Sequence, residues 1–211
     1  MLKREPVRVK VCGITRLEDA RAAALFGVDA LGFIFAKSPR QVTPATARKI
    51  SQAVGPFVTR VGVFVNDPVD RVLAVMREVM LDVVQLHGSE PPEDCAKILA
   101  GGARGVIKVF RVGPNFSAKE LSRYAVQAYM LETDAKVAGG SGLTWDWKRL
   151  AGVRFGAPVI VTGGLNPSNV RKAVRTLKPY AVDVSSGVEK RPGIKDPKLM
   201  EKFIQNAKSI R

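Results

Sequence analysis

Residues 8–15 read RVKVCGIT, an apolar, β-branched run that stops at Cys12, Gly13 and Thr15. Such a run bounded by glycine reads as a strand buried on both faces, as in a parallel sheet covered by helices. The residues that end this run decide the fold. A dinucleotide-binding sheet places a three-glycine turn after its first strand, and here CGIT stands instead. Seven further runs of the same character recur: ALGFIF (30–35), VTRVGVFV (58–65), VVQLH (83–87), GVIKVF (105–110), AYMLET (128–133), PVIVTG (158–163) and YAVDVSS (180–186). Eight strands alternating with helical segments in about 200 residues, without that fingerprint, predict a closed (β/α)8 barrel, an α/β fold, as one catalytic domain over 1–211.

The helical segments show the expected spacing. Val69, Val72, Leu73 and Met76 fall on one stripe; so do Val170, Ala173, Val174 and Leu177, and then Leu199, Phe203, Ala207 and Ile210. Four pairs of a capping residue and a proline predict helix starts: Thr43-Pro44, Asp67-Pro68, Asn166-Pro167 and Asp196-Pro197.

Composition narrows the class of function. A hydrophobic content of 46% and a charged content of 25% describe an ordinary globular chain of one large domain. Two cysteines form no disulfide framework and match no zinc spacing. The opening MLKREPVRVK carries no apolar signal segment, no run is long enough to cross a bilayer, and the reducing cytoplasm is the expected compartment. The formal net charge of +15 is spread along the chain with no aromatic stacking motif beside it. That distribution suits a solvated basic surface or an anionic small-molecule substrate; no nucleic-acid and no membrane partner is expected. Monomer and homodimer both stay open.

In a barrel of this kind chemistry collects at the C-terminal ends of the strands. Those ends carry Cys12, Phe35, Asn66, Gln85 with His87, Arg111, Glu132, Thr162 with Gly163, and Ser185 with Ser186. Gly163 and Gly164 precede a helix start, and Ser185, Ser186 and Gly187 follow the eighth strand. Small residues in the last two loops admit backbone N–H groups close to a phosphate. A thiol, a carboxylate and a phosphate site favour proton transfer on a sugar phosphate over hydrolysis. No metal cluster is visible around His87, the sole histidine.

The segments KVCGIT, GFIFAKSPRQVTP, RVGVFVN, VVQLHGSE, GGSGLTWDW, TGGLNPSNV and VDVSSGVE stand in an order that resembles the phosphoribosylanthranilate isomerase family. The resemblance runs from about Lys10 to the final helix. It implies an Amadori rearrangement of N-(5'-phosphoribosyl)anthranilate to 1-(2-carboxyphenylamino)-1-deoxyribulose 5-phosphate in tryptophan biosynthesis, without metal or organic cofactor. It further implies that Cys12 is the general base and that Arg40 holds the anthranilate carboxylate. Gln85 and His87 would line the pocket, and Gly163, Gly164, Ser185, Ser186 and Gly187 would hold phosphate with Asp183 beside them. Lys10, two residues before Cys12 on the same side of the strand, is expected to supply positive charge.

One position departs from the family pattern. The sixth strand there ends in Asp-Thr, the aspartate being the general acid; here Glu132 occupies its place, counted back from Gly139-Gly140. The extra methylene shifts the carboxyl group by about 1.5 Å. Glu132 is therefore the expected acid, with Asp134 as the alternative. A related aminoaldose isomerisation and a non-catalytic polyanion-binding barrel are the competing functions.

Overall fold

A computed structural model describes residues 6–113, 116–133 and 155–209. Eight parallel strands close on themselves: β1 (Arg8–Cys12), β2 (Ala30–Ile34), β3 (Thr59–Phe64), β4 (Val83–Leu86), β5 (Gly105–Val112), β6 (Ala128–Thr133), β7 (Val159–Thr162) and β8 (Ala181–Val184), with β8 pairing back onto β1. Helices α1 (Leu17–Leu25), α2 (Pro44–Ala53), α3 (Val69–Val79) and α4 (Pro92–Ala100) come after the first four strands. Helices α5 (Val170–Leu177) and α6 (Pro197–Lys208) come after β7 and β8. Between β5 and β6 the connection is a short 3-10 helix, Ala118–Arg123, not a full α-helix. The barrel expectation holds.

The continuous hydrophobicity of the strands has a plain physical origin: alternate residues serve two different cores. Outward-facing residues such as Val9, Val11, Leu31, Phe33, Val84, Leu131 and Val182 pack under the helices. Inward-facing Val61, Ile107, Val109, Ala128, Met130, Ile160 and Ala181 fill the barrel itself. Continuing the inward alternation to the strand ends brings out Cys12, Arg111, Glu132, Thr162 and Asp183.

Two of the four helix starts behave as expected. Thr43 accepts the N–H of Thr46 (3.2 Å), and Asp196 accepts those of Lys198 (2.9 Å) and Leu199 (3.2 Å). The other two are corrected. Helix α3 begins at Val69 with Pro68 in the capping position, and Asp67 pairs with Arg71. Helix α5 begins at Val170, because Asn166 accepts the N–H of Ser168 (2.8 Å) and closes a local turn first. The inward stripe of α6 is also rotated: Met200, Phe203, Ile204 and Ala207 are buried while Leu199 is exposed. Ile210 lies outside the described residues. A small hairpin not expected from the sequence, β9 (Glu189–Arg191) with β10 (Ile194–Lys195), stands between β8 and α6.

Candidate active site

The strand register assembles the site. Lys10 stands opposite Asp183, Glu132 opposite Thr162, and Arg111 opposite Glu132. The Thr162 hydroxyl closes the remaining step by donating to Asp183 Oδ2 at 3.1 Å. Polar groups from β1, β8, β7, β6 and β5 therefore form one inner arc, although β1 and β6 are far apart in sequence.

At one end of the arc sits Cys12, 6% exposed and unpaired with Cys95. Gly32 of β2 lies against it: a Cβ there would come within 2.7 Å of Sγ and 3.1 Å of Lys10 Cε. Only glycine leaves room for the thiol. Lys10 Nζ is 2.7 Å from Asp183 Oδ1, a buried pair. Burial opposes the Lys10 charge, but Asp183 and Cys12 outweigh it and raise its pKa. The thiol itself moves up from its ordinary 9.0: burial dominates, Lys10 and Lys195 work against it, and Asp183 adds to it. Lys10 thus stands beside the thiol and opposes the rise, with Asp183 offsetting part of its effect. Cys95, also buried, is pushed up to about 11 and touches none of this.

Arg40 leans over the turn after Cys12. A Cβ on Gly13, whose φ is +73°, would stand 2.7 Å from Arg40 Cδ, so the left-handed turn and the bare backbone together make room for it. Its guanidinium donates twice to one carboxylate: Nε to Glu189 Oε1 (2.9 Å) and Nη2 to Glu189 Oε2 (2.7 Å). Glu189 also accepts from the fully buried ammonium of Lys195 at 2.9 Å. Burial alone would raise the Glu189 carboxyl, but Arg40 and Lys195 override it and hold it below its ordinary 4.5.

At the other end of the arc, His87 Nε2 lies 3.2 Å from Glu132 Oε2, and Arg111 Nε lies 3.6 Å from the same oxygen. Beneath them Gln85 is buried, its amide nitrogen 3.4 Å from His87 Nδ1. The Gln85 carbonyl oxygen has no partner among the described residues. Turning the amide over would offer that oxygen to an Nδ1–H, so Gln85 can serve either protonation state of the ring. A cleft of about 450 Å³ opens beside His87 and Arg111, lined also by Asn66, Gly88, Lys108 and Arg123. Its floor is set by buried Glu90, which accepts the N–H groups of Asn66 (2.8 Å) and Gly88 (3.0 Å) and pairs with Lys108 (2.9 Å). Asp134 lies outside the described residues, as do Gly139 and Gly140.

The last two loops touch. A Cβ on Gly187 would fall 1.9 Å from the carbonyl oxygen of Leu165, so these loops approach as closely as backbones can. Gly163 and Gly164 adopt φ of +95° and +63°. The Ser185 hydroxyl is buried with no partner among the described residues, while Ser186 is exposed. Among the described residues no His, Cys, Asp and Glu cluster fits a metal ion.

Three residues central to this geometry were not found from sequence: Gly32, Glu189 and Lys195. Glu189 and Lys195 sit in a hairpin that carries no periodic signal, and Gly32 reads as one more small strand residue. The signal that was present is the polar-then-glycine character of EKRPGIKD after the last strand.

The family model described as N-(5'phosphoribosyl)anthranilate (PRA) isomerase matches residues 9–206. The N-(5'-phosphoribosyl)anthranilate isomerase of Geobacter sulfurreducens is 49% identical over 204 residues, covering 96% of this chain and 98% of that one. A phosphoribosyl anthranilate isomerase crystallised with reduced 1-(o-carboxyphenylamino)-1-deoxyribulose 5-phosphate superposes with a TM-score of 0.83 at 42% identity, over 97% of this chain and 100% of that one. Monomers generated from the dimeric isomerase of Thermotoga maritima give 0.82 and 41%, again over 97% and 100%.

Proposed function

This chain belongs to the N-(5'-phosphoribosyl)anthranilate isomerase family, and from that premise we propose how its residues divide the work. The activity is isomerisation of N-(5'-phosphoribosyl)anthranilate to 1-(2-carboxyphenylamino)-1-deoxyribulose 5-phosphate in tryptophan biosynthesis. The competing aminoaldose and binding-barrel readings give way to it.

In our reading Glu132 gives a proton to the furanose ring oxygen. The C1'–O bond breaks as the anilino nitrogen forms a Schiff base. Cys12, as thiolate, then takes the C2' proton, and the C2'–H electrons flow into C1'–C2' to neutralise the nitrogen. The resulting enol-amine becomes the ketone when C1' is protonated. The loops around Gly163, Gly164, Ser185, Ser186 and Gly187 hold the phosphate, the free Ser185 hydroxyl supplying one donor. Arg40 keeps one edge of its guanidinium for the anthranilate carboxylate, a bidentate geometry that lysine cannot offer. Asp183 acts by holding Lys10 against the thiol, and Gln85 and His87 set the orientation of Glu132. Neither metal nor cofactor is called on.

The observation that carries this assignment is the inner arc itself: base and carboxyl side chains stand on one ring of inward positions, joined through Asp183 and Thr162. The test is turnover followed by loss of anthranilate fluorescence, comparing wild type with Glu132→Gln. A fall in kcat of about a hundredfold or more supports Glu132 as the acid. Unchanged turnover rejects that role and moves it to Asp134.

We further propose that the chain is a cytoplasmic homodimer formed through the opposite face of the barrel. Leu25, Phe57, Met80 and Tyr180 are exposed apolar side chains, and each sits at or beside a helix-to-strand connection, hence at the N-terminal face. Phe57 is 97% exposed, far more than an unpartnered aromatic favours. No helix among the described residues is long and apolar enough to cross a membrane. Light scattering should give twice the mass of 22.8 kDa, and Phe57→Glu should halve it. A wild-type monomer overturns the proposal.

A further inference from the structure

Lys195 has its whole ammonium group committed. Its three donors go to the carbonyl of Cys12 (2.5 Å), the carbonyl of Ser185 (3.2 Å) and Glu189 Oε1 (2.9 Å). The first two acceptors are the ends of β1 and β8, the strands that carry the thiol and lead into the last phosphate loop. Its own backbone N–H is fixed by buried Asp19 at 3.1 Å. A fully buried lysine satisfied by two backbone carbonyls and one carboxylate is a staple, not a surface charge.

Glu189 is equally committed. Its two oxygens receive Arg40 Nε, Arg40 Nη2, Lys195 Nζ and the N–H of Gly193. Only one edge of Arg40 is engaged, so Nη1 and the second Nη2 hydrogen make no bond among the described residues. Arg40 and Lys195 share the one Glu189 carboxylate. The unused edge of Arg40 is shaped to receive another.

We propose that Glu189 and Lys195 are positioning residues, holding Arg40 with one edge occupied so that its other edge selects substrates bearing a carboxylate. The proposal deepens the reading of Arg40 given above and rests on it. Without the anchor, Arg40 is a long side chain that must be immobilised afresh each time substrate binds. Removing the anchor therefore weakens recognition of the carboxylate and leaves recognition of the rest of the ligand alone.

Two unreactive probes separate these effects: reduced 1-(o-carboxyphenylamino)-1-deoxyribulose 5-phosphate, and the matching reduced anilino compound that lacks the carboxylate. Titration calorimetry on wild type, Glu189→Gln, Glu189→Asp and Arg40→Met gives the binding ratio of the two. Glu189→Gln should weaken the carboxylate probe about tenfold, the size expected for one re-immobilised side chain, with less than about threefold loss for the other probe. Glu189→Asp should recover part of that ratio. Because Glu189→Gln leaves the buried Lys195 ammonium without its carboxylate, the double variant Glu189→Gln, Lys195→Met serves as a second test; it removes the pair together and should show the same lost ratio. Equal weakening of both probes, or no weakening of either, overturns the positioning role. Retention of the full ratio by Arg40→Met instead overturns the reading of Arg40 itself.

Discussion

On the β8–β1 side of the barrel mouth, Lys10 and Asp183 form an ion pair whose side chains are 4% and 6% exposed. On the β4–β6 side, His87 and Glu132 face each other at 26% and 29%, with Arg111 beside them at 82%. The first side is closed: Gly32, Gly13 and Gly187 have removed every atom that would keep its parts apart, and Lys195 ties its strand ends together. The second side is open to water, and its contacts are longer. The difference suits the two chemical roles. In the proposed roles, a thiolate that takes a proton from one carbon needs a fixed direction, whereas a carboxyl group that protonates a ring oxygen tolerates adjustment. The open side also carries Glu132, whose partly exposed carboxyl has room to adjust where a buried one would not.

The largest effect tests the closed side. Cys12→Ser keeps the volume and replaces the thiol by a hydroxyl too weakly acidic to act as base. Its kcat should fall about 10²- to 10⁴-fold, the usual worth of a positioned general base, with KM and melting temperature close to wild type. A variant that retains a tenth of the activity would mean that the closed side is scaffolding and the base lies elsewhere.

Next comes stability, where the two sides should separate cleanly. Lys10→Met strands a buried Asp183 carboxylate and should cost about 3–5 kcal/mol of unfolding free energy. Arg111→Met removes a partner that is mostly in water and should change stability by less than about 0.5 kcal/mol. Urea melts of both variants decide it. Similar losses would show that the difference in exposure carries no energetic difference.

Glu132→Asp then asks how much slack the open side has. Shortening the side chain withdraws the carboxyl from His87 by about one carbon–carbon bond, and a displacement of that size can cost up to a hundredfold. Because this side adjusts, a fall of only about tenfold in kcat is expected, with His87→Gln producing a similar fall through the same contact. A gain in kcat for Glu132→Asp would mean that glutamate is tolerated here and not accommodated.

Most of the barrel was readable in advance because its strands are two-sided and its helices are stripes, both signals of short range. Part of the inner arc was readable too, since Cys12, Glu132 and Thr162 each end an apolar run with a polar residue; Asp183, one position inside its strand, came only through the resemblance to the family. The features that escaped were long-range. Lys195 meets the Cys12 carbonyl across 183 positions and Arg40 meets Glu189 across 149, and no local pattern encodes such pairs. Asp67 and Asn166 misled for the opposite reason. Each is a good capping residue next to proline, but each had a nearer partner, Arg71 or Ser168, that consumed it first.

The smallest effect is the most specific. On the proposed assignment, catalysis needs Glu132 protonated and Cys12 ionised, the reverse of the order in which a carboxyl group and a thiol ordinarily lose their protons. Between the two pKa values, each rise in pH gains thiolate and loses the protonated acid in equal measure, so the productive fraction stays constant. In the free protein burial carries Cys12 above 9.0, which widens that interval on its alkaline side. The kcat/KM profile should therefore be flat, varying by less than about twofold between roughly pH 6 and 8, and on its alkaline side should decline only above the ordinary thiol range. Thiolate absorbance near 240 nm, measured on a Cys95→Ala background, should rise over the same alkaline interval as the decline. A kcat/KM that climbs tenfold per pH unit through neutrality would show that the acid is not consumed as the base appears, and the proton on the open side would then have to come from a group that holds it through neutral pH.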